Sequence, residues 1–349
     1  MRNTTNKTTS VLITFAALVV VIAGMKAASA IIVPFLFAIF IAIICSPLLS
    51  WLTRRGVPAV LAVLIILFSI ILLGYLLMFA MGTSIQSFSK ALPGYQANLQ
   101  QQINIFINWL TSMGIEASTT GIRDALNPAS AIKLVNGLLN SLGGLFANAF
   151  LIIITVLFIL LEASSFPVKL RAISGEGRIN FDYVDHFLAS VQHYIGLKTI
   201  TSLATGALVA VLLTILGVDF PLLWGLIAFL LNYIPTFGSI IAAVPAVLLA
   251  LIQFGVPMAL GTALGYLVIN VAIGSIIEPR VMGRGMGLSA LVVFLSLIFW
   301  GWVFGPLGMI LSVPLTMLAK LALENDERTH WIAVLLGTGD PAIEEQTKA

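Results

Sequence analysis

The sequence NYIPTFGSIIAAVP, residues 232–245, lies in the longest nearly uncharged run of the chain. A single residue is charged between Lys198 and Glu278, so this run belongs in a bilayer or in a very large core. Pro235 removes a backbone donor and Gly238 follows three residues later, so we expect a helix to break or kink here. Broken backbone at membrane depth needs burial or access to water, and interrupted apolar helices are typical of transport sites.

The composition points to a membrane protein. Hydrophobic residues make up 60% of the 349 residues and charged residues only 9%, whereas soluble domains carry about 25% charge. The net charge of +3 comes from short basic clusters beside apolar runs, as in cytoplasmic loops, so we expect no nucleic-acid partner. Cys45 is the single cysteine, which excludes a disulfide framework and a cysteine-based metal site.

The N-terminus imitates a signal peptide, with a basic start and the small residues 28–30 after an apolar run. Because the apolar sequence resumes at once at Ile31, we interpret this run as an uncleaved first membrane helix. Three spans are expected at residues 11–30, 31–52 and 60–81. The basic loop at Arg54 and Arg55 belongs in the cytoplasm by the positive-inside rule.

We divide the chain into four segments. Residues 1–83 hold the first three membrane helices, and residues 84–145 form an extracytoplasmic insert of amphipathic helices. That insert either lies on the membrane or forms a cap or assembly surface. Residues 146–320 form a C-terminal transport core with a cytoplasmic interfacial helix near 181–196, and residues 321–349 form a cytoplasmic tail.

The sequence predicts an all-α membrane protein with about eight transmembrane helices, two of them broken or re-entrant. The two overlong apolar runs are 222–252 and 288–319, and each is either one broken span or a re-entrant hairpin. Eight spans place both termini in the cytoplasm but leave Arg280 and Arg284 outside. Two re-entrant hairpins would place those arginines inside, so the sequence leaves both topologies open.

The polar and helix-breaking residues of the core define a candidate substrate pathway: Asn232, Pro235, Thr236, Gly238, Ser239, Asn270, Glu278 and Arg280. Further helix breaks are expected at Pro245, Pro279, Gly305, Pro306, Gly308 and Pro314. Glu278 is a hypothetical proton carrier or substrate contact, with Arg280 as its counter-charge or as a substrate anchor. The alternative is that this pair only anchors the helix among lipid headgroups.

No constellation of nucleophile and base is present, and we expect neither an enzyme activity, nor a cofactor, nor a metal site. Asp182 and His186 lie one turn apart, but without a third ligand a solvated helix face explains them better. We expect the three histidines to lie in polar segments outside the spans.

Three motifs resemble the signature regions of the autoinducer-2 exporter family of bacterial membrane proteins: NYIPTFGSIIAAVP at 232–245, IIEPRVMGRGMGLSALVV at 276–293 and FGPLGMILSVPL at 304–315. The resemblance covers nearly the whole chain. It implies a bacterial inner-membrane permease of about eight spans that forms homo-oligomers, with pentamers among its relatives. It also implies two substrate classes, a small sugar-like signal (autoinducer-2) and, in similar proteins, Na⁺ or Li⁺ exchanged for protons.

Three functions therefore compete. The leading one is export of a small polar molecule such as an autoinducer-2-like signal. The second is a cation–proton antiporter that uses Glu278 and Asp219, and the third is a non-transporting oligomeric membrane scaffold. The partners expected in each case are the lipid bilayer and further copies of the chain, and the two transport functions add a small polar solute or a cation as cargo.

Overall fold

The computed structural model describes residues 2–113, 148–162, 181–235, 237–282, 287–324 and 329–337. Within these ranges every regular element is helical. The helices are α1 (Arg2–Ala27), α2 (Ser29–Arg54), α3 (Ala59–Ser112), α4 (Ala149–Glu162), α5 (Phe181–Leu216), α6 (Pro221–Leu231), α7 (Gly238–Phe254), α8 (Val256–Asn270), α9 (Glu278–Met282), α10 (Ala290–Phe304), α11 (Pro306–Ile310), α12 (Ser312–Glu324) and α13 (His330–Leu336). A π-helical segment, Val271–Ile277, joins α8 to α9 without a break.

In the part of the chain that the structure describes, four helical stretches are long and apolar enough to cross a membrane: Ser29–Arg54, Ala59–Phe88, Leu188–Leu216 and Val256–Val281. Shorter apolar helices occur in α1, α4, α6, α7 and α10. Large apolar side chains such as Phe15, Leu72 and Leu264 are exposed on these helices, as expected of faces that contact lipid. The predicted all-α membrane fold is confirmed.

Two helices are longer than the sequence predicts. The third span does not end before the insert, because α3 continues as one helix of 54 residues to Ser112. The predicted interfacial helix near 181–196 is continuous with the span expected at residues 199–216, and both belong to the single helix α5. The rest of the insert and the loop before α5 lie outside the described residues.

The chain forms two compact units. The first comprises Met1–Val63, Ala147–Phe187 and Gly287–Ala349, and the second comprises Leu64–Phe146 and Leu188–Met286. Each unit joins stretches that are distant in sequence, and the four-segment division stays a prediction. In the first unit α2 packs against α4, and the Lys26 ammonium lies 3.7 Å from the centre of the Trp302 ring.

In the second unit, α6 and α7 form a helical hairpin. Its two outer ends meet, because the Asp219 N–H donates to Gln253 Oε1 at 3.1 Å and Gln253 Nε2 donates back to the Asp219 carboxylate. The 11 residues of α6 reach about 16 Å, whereas a bilayer core is about 30 Å thick. The first overlong run is therefore a helical hairpin whose two ends lie side by side.

In the first unit, α10 folds back on α11 and α12 in a second hairpin. Gly305, with φ of 69°, separates α10 from α11, and Pro306 begins α11. The arms are joined by a hydrogen bond of 3.0 Å from Trp300 Nε1 to Thr316 Oγ1. At the open end, Lys320 Nζ donates to the Gly287 carbonyl at 2.7 Å. The second overlong run is therefore also a hairpin.

Both hairpin turns depend on a glycine where two backbone segments touch. A Cβ on Gly238 would overlap the Leu231 carbonyl oxygen, and a Cβ on Gly308 would overlap the Trp300 carbonyl oxygen. Any side chain at these positions would force the turn open. The two turns are thus built on the same local device.

Contrary to the prediction, three prolines do not break helices. Pro245 lies inside α7, which continues to Phe254. Pro314 lies in the first turn of α12, where a missing N–H removes no helical hydrogen bond. Pro279 comes after the end of the π segment, and the helix continues through it to Met282. Gly308 lies inside α11 and shapes the close contact rather than a break.

Candidate functional site

A single turn of α5 carries the polar side chains that organise the second unit. Its sequence is Lys-Thr-Ile-Thr-Ser, residues 198–202, and Lys198, Thr201 and Ser202 are all buried. Such a polar turn inside an apolar helix is costly unless each group has a partner. We call it the polar turn.

The tip of the first hairpin rests on the polar turn. The Asn232 Nδ2 donates to Ser202 Oγ at 3.1 Å, and the Tyr233 hydroxyl donates to Thr199 Oγ1 at 2.9 Å. Thr199 in turn donates to the Ile195 carbonyl within α5. The tip is therefore held by two side-chain hydrogen bonds rather than by packing alone.

The polar turn also holds Glu278. Lys198 Nζ lies 2.6 Å from Glu278 Oε1, and the two side chains are only 6% and 15% exposed. Such a buried pair persists only if both partners are present, because either charge alone would be left without compensation. The polar turn thus joins the hairpin tip and the carboxylate of α9 within one helical turn.

The π segment explains how Glu278 reaches this position. In an uninterrupted α-helix, Glu278 would point about 120° away from Tyr266, a buried residue of α8. A π turn absorbs roughly one extra residue and rotates the helix after it by about 100°. Glu278 therefore returns to the buried face of α8 that carries Tyr266.

A second polar cluster closes the open end of the first hairpin. The Asp219 carboxylate accepts hydrogen bonds from the Tyr95 hydroxyl, at 2.6 Å, and from Gln253. Burial, together with the adjacent Asp219 carboxylate, raises the pKa of the Tyr95 phenol. Phe88 packs edge-on against Trp224 and Phe220, whose φ of 60° is unusual for a residue other than glycine. This cluster, which we call the outer latch, ties α3 to the hairpin.

The predicted pathway residues that the structure describes lie at different points of the second unit. Asn232 and Glu278 meet on the polar turn, while Pro235 shapes the hairpin turn between α6 and α7. Ser239 is buried in the first turn of α7, and Asn270 ends α8 half-buried. Thr236 lies outside the described residues. The side chains of Asp182 and His186 do so as well.

The predicted counter-charge is wrong in one respect. Among the described residues, the ion pair of Glu278 is formed with Lys198 and not with Arg280, which is exposed. Arg280 lies two residues further along α9, and a helix turns about 200° over that distance. Its role as a substrate anchor stays a prediction.

Sequence reasoning missed Lys198, Thr199, Ser202 and Tyr233. The signal for Lys198 was present, because it and Glu278 are the opposite charges that bound the long, nearly uncharged run. Because the sequence predicts a span that begins at Thr199, it places Lys198 in a loop before that span. The structure buries it within the continuous helix α5 instead.

A buried polar turn that receives a hairpin tip, inside a protein of many apolar helices, defines a multi-pass membrane transport protein. The chain belongs to the AI-2E transporter family, whose description, "AI-2E family transporter", matches residues 15–327.

Three relatives cover nearly the full chain. The AI-2 transport protein TqsA of Escherichia coli (strain K12) is 41% identical over 93% of this chain and 95% of its own length. A putative transport protein of Haemophilus influenzae (strain ATCC 51907 / DSM 11121 / KW20 / Rd) is 39% identical over 93% and 95%. The putative transport protein YhhT of Escherichia coli (strain K12) is 36% identical over 95% of each chain. These names support transport rather than catalysis.

Proposed function

We propose that the protein exports a small polar molecule across the bacterial inner membrane, with an autoinducer-2-like signal as the first candidate. The observation that carries this proposal is the polar turn, where hydroxyl, amide and ionic groups cluster among apolar helices. A relative with 41% identity is named an AI-2 transport protein, which supports the choice of candidate.

The cation–proton antiporter is the second candidate, and the buried carboxylate of Glu278 is the observation in its favour. Three observations weigh against it. Lys198 neutralises that carboxylate, and Asp219 is held at the open end of the hairpin by Tyr95 and Gln253. Within the described residues, no three acidic, histidine or cysteine side chains come together to hold a metal ion.

Counterflow in proteoliposomes tests these functions. We expect labelled autoinducer-2 to accumulate in liposomes that contain the wild-type protein and unlabelled compound. A Na⁺-dependent pH change without counterflow would support the antiporter instead. The absence of both signals would leave the membrane scaffold. Homo-oligomerisation is part of the proposal, and the mass of the detergent-solubilised complex measures it.

Substitutions within the polar turn test whether this site takes part in transport. Ser202→Ala removes the acceptor of the Asn232 amide, and we expect counterflow to fall about tenfold, as for one lost hydrogen bond of about 1.4 kcal/mol. Thr214→Ala is the matched control on the same helix, because Thr214 is exposed and donates only to the Ala210 carbonyl. Equal losses in both variants would contradict the proposed site.

We also propose that the chain crosses the membrane six times, with both termini in the cytoplasm. In this arrangement α1 to α5 and α8 cross, while both hairpins return to the side they entered. Arg280 then lies in the cytoplasm with the basic loop before α3, as the positive-inside rule favours. Eight spans would instead place Arg280 outside.

Thiol labelling measures this sidedness. In a Cys45→Ala background, we expect a membrane-impermeant maleimide to label Arg280→Cys only in inside-out vesicles. Arg55→Cys serves as the cytoplasmic reference and Lys90→Cys, on the exposed extension of α3, as the external one. Labelling of Arg280→Cys in the same vesicles as Lys90→Cys would overturn the six-span topology.

A further inference from the structure

Tyr266 carries a buried polar atom that the fold leaves without a partner. The residue is 5% exposed, and its hydroxyl has no hydrogen-bond partner among the residues that the structure describes. The neighbouring buried hydroxyl on α8 behaves differently, because Thr262 donates to the Met258 carbonyl of its own helix. Burying an unpaired hydroxyl costs free energy, so a buried one calls for a ligand or a functional explanation.

The position of Tyr266 connects it with the site already described. It lies one helical turn before Asn270 and, because of the π segment, on the same face as Glu278. Its neighbour Gly265 packs against Leu212 of α5. Leu212 is ten residues beyond Ser202, so Tyr266 lies about 15 Å along α5 from the polar turn.

The surroundings of Tyr266 favour an uncharged ligand. From Thr199 to Ile277 the chain holds one charged residue, Asp219, and it belongs to the outer latch at the open end of the hairpin. The stretches of α5, α6, α7 and α8 that build this part of the second unit therefore offer a ligand no counter-charge. An ionic group would lose its hydration without compensation here, whereas a neutral hydroxyl or carbonyl needs only hydrogen bonds.

We infer that the Tyr266 hydroxyl is a binding station for a neutral, hydroxyl- or carbonyl-bearing solute, between the open end of the first hairpin and the polar turn. The phenol donates one hydrogen bond to the solute and accepts another. The inference rests on the proposed transport function and names the residue and the class of solute at that stage of the pathway.

Tyr266→Phe tests the inference because it removes one oxygen and keeps the ring. We expect the KM for counterflow of autoinducer-2 to rise about tenfold, while the thermal unfolding midpoint in detergent stays equal or rises, since an unpaired buried hydroxyl has been removed. Thr262→Val is the matched control on the same face, with unchanged KM. An unchanged KM in Tyr266→Phe, or a lower unfolding midpoint, would overturn the inference.

A binding measurement separates this inference from the proposed function. D-ribose, as a neutral polyol probe at millimolar concentration, should raise the unfolding midpoint of the wild-type protein, and Tyr266→Phe should abolish that shift. The anion gluconate and the cation choline should have no effect. If wild-type counterflow is absent but the ribose shift depends on Tyr266, the proposed export function is wrong and the inferred binding station is supported. If ribose does not shift the wild type, or if gluconate or choline does, the assigned solute class is wrong.

Discussion

Replacing Lys198 alone should destabilise the protein far more than replacing both members of its ion pair. Lys198→Met leaves Glu278 as an uncompensated charge that is only 15% exposed, and breaking a buried pair costs about 3–5 kcal/mol. Glu278→Gln strands the lysine in the same way. In the double variant neither charge remains, and only the new amide at position 278 is left buried without a partner, so its cost should be about 1–3 kcal/mol.

The free energy of unfolding can be followed by tryptophan fluorescence during SDS titration in mixed micelles. The four proteins form a double-mutant cycle, and from these costs we expect a coupling of at least about 3 kcal/mol between the two positions. Transport by the same proteins, at equal expression and from pH 6 to pH 8, shows separately whether Glu278 carries a proton. Wild-type transport by Glu278→Gln across this range would exclude that role.

The chain offers a matched control for this cycle. Lys320 and Glu324 lie 3.5 Å apart, four residues apart on α12, with side chains 20% and 27% exposed. Their coupling should be only about 0.3–0.5 kcal/mol, as for helical pairs in contact with water. If the effects at Lys198 and Glu278 add to within about 0.5 kcal/mol, as at independent sites, the pair does not organise the site.

The packing and the outer latch support three further predictions. Gly238→Ala should abolish folded protein in detergent size-exclusion profiles because its Cβ overlaps a carbonyl of α6, whereas Gly261→Ala, with no atom within 4 Å, should leave the profile unchanged. Deleting Ser275 should turn the π segment into a regular α-helix and preserve transport. Deleting Leu267 from α8 should instead rotate α9 by about 100° and abolish transport. The opposite ranking of the two deletions would refute the role of the π segment. The raised pKa of Tyr95 means that the folded state holds this proton more tightly than the unfolded state, so wild-type stability should fall above about pH 10. Tyr95→Phe should show a smaller fall in thermal melts, and an identical profile would exclude the outer latch as a cause.

The sequence located the interruptions of the helices but not the direction of the chain after them. Pro235 and Gly305 mark turns because their backbone chemistry acts over a few residues. Whether such a turn bends a span or reverses it depends on contacts such as Asp219 with Gln253, 34 residues apart. Pro245 shows the opposite limit, because the packing of α7 maintains a helix that local propensity alone would interrupt.

The candidate site was predictable only in part for the same reason. Glu278 is conspicuous as a charge at the end of an apolar run, but its partner Lys198 lies 80 residues earlier. Arg280 is the opposite charge nearest to it in sequence, and sequence alone favours the nearer partner. A π segment has no clear sequence signature here, so only the structure reveals the rotation that turns Glu278 toward α5.

The unbroken course of α3 gives the protein a lever. From Phe88 to Ser112 the helix extends about 36 Å beyond its membrane span, so a tilt of about 10° moves its far end by roughly 6 Å. The outer latch contacts this extension of α3 at Tyr95, close to the end at which the extension leaves the membrane span. Small movements of the first hairpin would thus become larger movements at the far end of α3, outside the bilayer. A ligand that immobilises this far end would also hold the hairpin in place without entering the pathway.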